Sequence, residues 1–279
     1  ALRLARHRLE ADQTEEGLEA LMQACHIATR QHDTTTLRLA VDRHSRHLQR
    51  LPRHRALPHR LRNTRYRVML ELLSGNSQDA FADFFEGERL GRGTEHRGEF
   101  GWLLISGAIC MRHVDRRDEC LDFLEEAREI FADIGDDRGL AETLFQHGLT
   151  VGYRGRYSRA ARDFERSAAL FLTCGAPIRA LEVNRWRSTI YILSQSFDRA
   201  EALTHTTLEA AREHGARLLE ARCVNNLGEI ARLRRRWSAA RQHYRRAIDI
   251  WSALGEVPPI YQFNLCMTDI GSGHFRRAH

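Results

Sequence analysis

Four glycines lie forty residues apart in this chain, Gly135, Gly175, Gly215 and Gly255. Three further ladders keep step with them: Tyr157, Phe197 and Trp237; Ala160, Ala200 and Ala240; and Gly148, Ser188 and Gly228. A single-core globular domain has no use for such a fixed period. A chain that repeats one supersecondary unit, each copy burying its apolar face on the next, does. The expectation is a stacked helical array that offers surface for binding instead of a pocket for chemistry.

The residues inside one period say what the unit is. From Leu140 to Gly175, a first helix carries Ala141, Leu144, Gly148 and Val151 on one face at helical spacing. Gly155 breaks it. Tyr157 opens a second helix with Ala160, Phe164, Ala168 and Phe171 inward, and Gly175 suits the left-handed position that ends a helix. Small residues at 148 and 160 let two backbones approach, so each unit reads as an antiparallel helix pair. The next units repeat the pattern with Leu181, Ser188, Tyr191, Phe197, Ala200 and Leu208, then with Ala221, Val224, Leu227, Ala231, Trp237, Tyr244 and Ala247. Earlier copies are marked by Ala80 and Phe84 and by Ala108, Cys120, Leu124 and Ala127. Leu265, Phe275 and Ala278 open a last one.

The run Asn226-Leu227-Gly228-Glu229-Ile230-Ala231, followed by Trp237-Ser238-Ala239-Ala240 and by Tyr244 and Ala247, resembles the signature of the tetratricopeptide repeat. The resemblance implies an all-α, right-handed solenoid of antiparallel helix pairs. The period is longer than the ~34 residues usual for that family, and glycine stands where a proline often closes the unit. The repeats are expected over residues 75–279, at about 75–95, 98–135, 138–175, 178–215, 218–255 and, truncated, 257–279. Residues 1–74 read as degenerate helical repeats or an arm, with helices at 2–11, 15–31, 34–51 and 55–73 and Pro52 and Pro58 in one break. The segment Ala5-Arg6-His7-Arg8-Leu9-Glu10-Ala11 also resembles the arm that follows the ATPase module in bacterial signalling proteins of the kinase–ATPase–repeat type. With no initiator Met and an array that stops in mid-unit, the chain reads as a piece of a longer protein.

Composition narrows the chemistry. All 43 basic residues are arginine and none is lysine, which reads as the codon bias of a GC-rich bacterial genome. It also removes every mechanism that needs a Walker, kinase or Schiff-base lysine. No GxxxxGK[ST], HExxH or GxSxG motif occurs, and Gly91-Arg92-Gly93 reads as a loop. No catalytic residue, cofactor or metal is expected. His44, His47, His54 and His59 have spacing that a zinc site could use, but read as a solvated face. Asp136 or Asp137 is expected to cap the next helix. The six cysteines are scattered without a CxxC pair, as suits buried thiols in a reducing compartment. No stretch approaches a membrane span, and a cytoplasmic location is expected.

In arrays of this family the first helices of successive units line a concave face. The resemblance therefore places Trp102, Gln146, Arg185, Trp186, Arg222, Asn225, Asn226, Glu229 and Arg232 on a groove for a protein or peptide ligand, with Tyr66, Met69, Ile105, Leu149, Tyr153 and Thr189 beside them. Asn226 falls where the family often bonds a peptide backbone. The arginines suit acidic side chains or a terminal carboxylate. A second surface is suggested by charge: residues 1–70 carry +7, residues 71–142 carry −10 and residues 143–279 carry +9. From Arg43 to Leu70 there are nine arginines and no acid, among them Arg43, Arg46, Arg50, Arg53, Arg55 and Arg60. A neighbouring domain of the parent chain or an acidic partner fits this patch better than nucleic acid does, since Tyr66 is its lone aromatic. The function read from the sequence is protein or peptide binding within a larger bacterial signalling protein, with a ligand-sensing arm of a transcription regulator as the alternative.

Overall fold

The computed structural model describes residues 1–11, 13–255 and 257–273, apart from the Arg53 side chain. Phe275 and Ala278, expected to open the last repeat, lie outside the described residues. Among the described residues there are fourteen α-helices and no strand: α1 (Leu2–Glu10), α2 (Thr14–Gln31), α3 (Thr34–Leu48), α4 (Arg53–Leu73), α5 (Ser77–Gly91), α6 (Arg97–His113), α7 (Arg117–Ile134), α8 (Asp137–Tyr153), α9 (Tyr157–Thr173), α10 (Pro177–Leu193), α11 (Phe197–Glu213), α12 (Arg217–Leu233), α13 (Trp237–Ser252) and α14 (Pro259–Gly271). The expected all-α fold of paired helices is what the chain adopts. The aromatic ladder marks helix starts: Tyr157, Phe197 and Trp237 each open a helix.

The pairs turn on backbone conformation. Gly135, Gly175 and Gly215 sit at φ 70, 68 and 63°, in the left-handed region that lets the chain leave a helix without a Cβ clash. A second left-handed ladder sits halfway between them. Gly75, Asp115, Gly155, Gln195 and Arg235 have φ values of 81, 63, 75, 58 and 59°. Sequence reading identified Gly155 alone in this series; Asp115, Gln195 and Arg235 carry side chains, so glycine does not mark those turns. Asp136 accepts a hydrogen bond from the Gly139 N–H at 2.9 Å, capping α8 as expected. Asp33 does the same for α3 through the Thr36 N–H.

The chain divides into two compact units, residues 1–146 and 147–279. In the first, α2, α3 and α4 enclose a core of Leu21, Cys25, Leu37, Val41 and Leu70, while α4 to α7 enclose another around Phe84, Leu104, Met111 and Phe131. Pro52 precedes α4, but Pro58 lies inside it, so the expected shared break is not there. One turn into the helix, proline removes a single ladder hydrogen bond, to the carbonyl of residue 54. In the second unit, the small-residue ladder meets the aromatic one: Gly148 lies under the Phe164 ring and Gly228 under the Tyr244 ring, each close enough that a Cβ would fall 2.8 and 2.7 Å from it. In the middle repeat the same pair is Ser188 and Thr204, fully buried and joined by their hydroxyls.

Candidate binding surface

In the second unit, α10, α12 and α14 are the first helices of successive pairs. Pro177 at the start of α10 and Pro259 at the start of α14 sit where a helix has no need of their missing N–H. Asn226 on α12 is 7% exposed, and its Nδ2 donates to the Arg185 carbonyl at 3.3 Å and to Thr189 Oγ1 at 3.4 Å. Asn264 on α14 donates in the same way to Asn225 Oδ1 at 3.0 Å. The structure thus uses both amides to tie one first helix to the preceding one.

Beside this clasp lies a cluster of cations. Arg185 is half-buried with its guanidinium over the Trp186 ring, 4.1 Å from the centroid, and its enclosed Nε has no hydrogen-bond partner. Burial, reinforced by the like charge of Arg222, pushes the Arg185 guanidinium down to about 10. Among the described residues, no carboxylate pairs with Arg185 or Arg222. Tyr261 stands near both, packed edge-on against Trp251 with ring centroids 5.6 Å apart. Sequence reading did not single out Tyr261, which sits beside the cations because α14 packs after α12.

Two turns along α12 from Arg222 the charge is balanced. Arg232 donates two hydrogen bonds to Glu229, at 2.9 and 2.5 Å, and the Tyr244 hydroxyl donates to the same carboxylate at 2.7 Å. Burial opposes its ionisation, yet these donors hold Glu229 below the ordinary carboxylate range. Glu229 and Arg232 therefore answer each other, while Arg185 and Arg222 do not.

The first unit holds the remaining expected residues. Trp102 on α6 packs edge-on against Phe131 at 5.4 Å, with the Arg65 guanidinium 4.5 Å above its ring. Gln146 is 6% exposed and donates to Glu142 at 2.8 Å. Within the basic segment, Arg55 pairs with Glu15, Arg62 bridges Glu19 at 2.8 Å and Glu99 at 3.0 Å, and Arg67 pairs with Asp83. Arg46, Arg50 and Arg60 are exposed and Arg43 is half-exposed, and the Arg53 side chain lies outside what is described. The run that carries no acid in sequence is thus met by acids from α2, α5 and α6.

His44 departs from the solvated face expected of the histidine-rich segment. It is fully buried, with Nδ1 3.2 Å from Asn63 Nδ2 and its ring 5.8 Å from that of His59. Among the described residues, no group of three His, Cys, Asp or Glu side chains is placed to hold a metal ion. Four cysteines are buried, burial pushing the Cys25 and Cys223 thiols up to about 12 and Cys110 to about 11, but Cys174 is exposed. An open cleft of about 310 Å³ between α9, α10 and α11 is lined by none of the expected residues; Arg187 in it bonds Glu165 at 2.7 Å. No described helix is long and apolar enough to cross a membrane.

Residues 102–173 match the family model described as tetratricopeptide repeat. No curated protein matches the chain. Among solved structures it resembles a Rap protein complexed with competence and sporulation factor, at 14% identity and a TM-score of 0.72, covering 95% of this chain and 74% of that one. It also resembles NprR in complex with its cognate peptide NprX, at 12% identity and a TM-score of 0.67, covering 95% and 76%. A third is a signal transduction ATPase with a tetratricopeptide repeat sensor from Pyrococcus horikoshii, at 13% identity and a TM-score of 0.65, where 98% of this chain spans 49% of the other. At such identities the likeness is one of fold. The helix pairs, their small-residue and aromatic ladders and the match over residues 102–173 give this chain a tetratricopeptide-like helical-repeat fold.

Proposed function

We propose that the chain is a peptide- or protein-binding module of a larger bacterial signalling protein, acting in the cytoplasm and recognising a ligand that presents a carboxylate. The observation that carries this is the pair of guanidiniums, Arg185 and Arg222, left without a carboxylate on the first-helix face of the second unit. An arginine half out of water and beside a like charge is held at a cost that an incoming anion relieves. Stacking on Trp186 fixes the planar fork ahead of binding, so little ordering entropy is lost when a carboxylate arrives. Two structures of the same fold hold peptide or factor ligands by their descriptions, which supports a peptide as the class. The module recognises its ligand and performs no bond-making chemistry of its own; the attached catalytic or output domain belongs to the parent protein.

The test is selection of a random dodecapeptide library on the immobilised chain. Acidic sequences should be enriched and should bind with Kd in the micromolar range. Replacing both cations, Arg185→Gln with Arg222→Gln, should weaken that binding by about a hundredfold while leaving helicity by circular dichroism unchanged. Enrichment that ignores the double substitution, or no enrichment at all, rules the reading out. Asn226 is kept intact in this test because its amide ties α12 to α10.

A further inference from the structure

Helix α14 carries a row of large apolar side chains in solvent: Ile260 at 55%, Phe263 at 57%, Met267 at 38% and Ile270 at 44% exposure. They fall at i, i+3, i+7 and i+10, so they share one face. The repeat register says which face. Asn264-Leu265 on α14 lies 38 residues after Asn226-Leu227 on α12, and the two asparagines make corresponding amide bonds to the preceding helix. By that shift the apolar row of α14 occupies the positions that hold Arg222, Asn225, Glu229 and Arg232 on α12, all half-exposed there.

The row that packs each first helix on the one before it is a different one. On α12 it comprises Cys223, Leu227 and Ile230, which are 0, 5 and 2% exposed; the corresponding α14 residues include Tyr261 at 6% and Thr268 at 0%. The face of α14 that meets the preceding repeat is therefore already covered, and its exposed apolar row continues the open face that carries the unpaired arginines. The groove changes character along its length, from two cations on α10 and α12 to bare hydrocarbon on α14.

We propose that this groove takes an extended peptide whose carboxylate meets Arg185 and Arg222 and whose large apolar side chain lies on Phe263 and Met267. The inference rests on the peptide-binding reading above and adds the ligand's pattern. Neighbouring helices pack about 8–10 Å apart and an extended chain advances about 3.3 Å per residue, so acid and apolar residue stand about three positions apart. The charge is complementary at one end, and at the other the peptide buries apolar surface that water now covers.

The same library reads this pattern. Peptides selected by the chain should share an Asp or Glu and a Leu, Phe, Met or Trp at a fixed separation. A variant with the α12 residues in the α14 register, Phe263→Asn with Met267→Glu, should bind a selected peptide about tenfold more weakly. In that variant, replacing the peptide's apolar residue by alanine should cost nothing further, the coupling expected of direct contact. All changed residues are exposed, so the fold is spared. Acidic peptides with no apolar preference, or an affinity indifferent to the α14 variant, overturn the pattern and leave peptide binding standing. A library that yields no enriched sequence removes both.

Discussion

Where Gly148 meets Phe164 and Gly228 meets Tyr244, a hydrogen in place of a methyl lets an aromatic ring fill the space between paired helices. Gly228→Ala puts a Cβ against a ring that is itself fully buried and hydrogen-bonded to Glu229, so the ring cannot swing aside. The expected loss is about 2 kcal/mol, of the size seen for overpacked cores, read from the midpoint of urea unfolding; an unchanged midpoint would show that the ring gives way. The ladder of small residues was legible in the sequence because size alone decides it. Ser188 shows the same logic one repeat earlier, where a hydroxyl pair with Thr204 replaces the ring. Asn226 was legible as a groove position by family resemblance, but not as a clasp: its partners lie on the preceding repeat, and nothing within its own unit announces them.

At the scale of the element, the turns matter more than the helices. Every turn between paired helices from Asp115 to Arg235 contains a residue with φ near 60–75°, yet glycine occupies that place at Gly155 alone among the four. A side chain in the left-handed region costs about 1 kcal/mol relative to glycine. Gln195→Gly and Arg235→Gly should therefore each stabilise the fold by about 0.5–1 kcal/mol, with the two effects additive because the turns are separate. Thermal unfolding of the single and double variants checks this, and a lower midpoint in either would mean the side chain makes a contact worth more than the strain. The other ladder, Gly135 to Gly255, was visible to the eye because glycine fills every rung. The Asp115, Gln195 and Arg235 rungs were hidden because a tolerated strain leaves no compositional trace. Pro58 misled for the opposite reason: a strong breaker by type, it sits early enough in α4 for the helix to absorb it.

For the molecule as a whole, the two units differ in what they bury. The first encloses His44, whose ring is held neutral: burial first, then the neighbouring charges of His59, Arg62 and His47, push it from 6.5 down to about 3. Between those values the unfolded chain binds the proton more readily, so stability declines as pH falls below 6.5 and is fully present above it. The slope from this group should approach about 1 kcal/mol per pH unit near pH 5. Substituting His44→Gln, which puts an uncharged amide in place of the ring beside Asn63, should flatten the dependence of the urea midpoint between pH 6.5 and 4. An equally steep variant would assign the acid sensitivity to other groups.

Within each unit, the helices α1 to α7 and α9 to α14 make their main contacts with helices one or two places away in the chain. The consequence is temporal. A ribosome adds about 5–20 residues per second, so one forty-residue period takes seconds to emerge, whereas helices form and short loops close in about a microsecond or less. Within a unit, each helix pair can therefore be buried on the one before it while the next is still being synthesised, and little of that unit's apolar surface waits uncovered for its end.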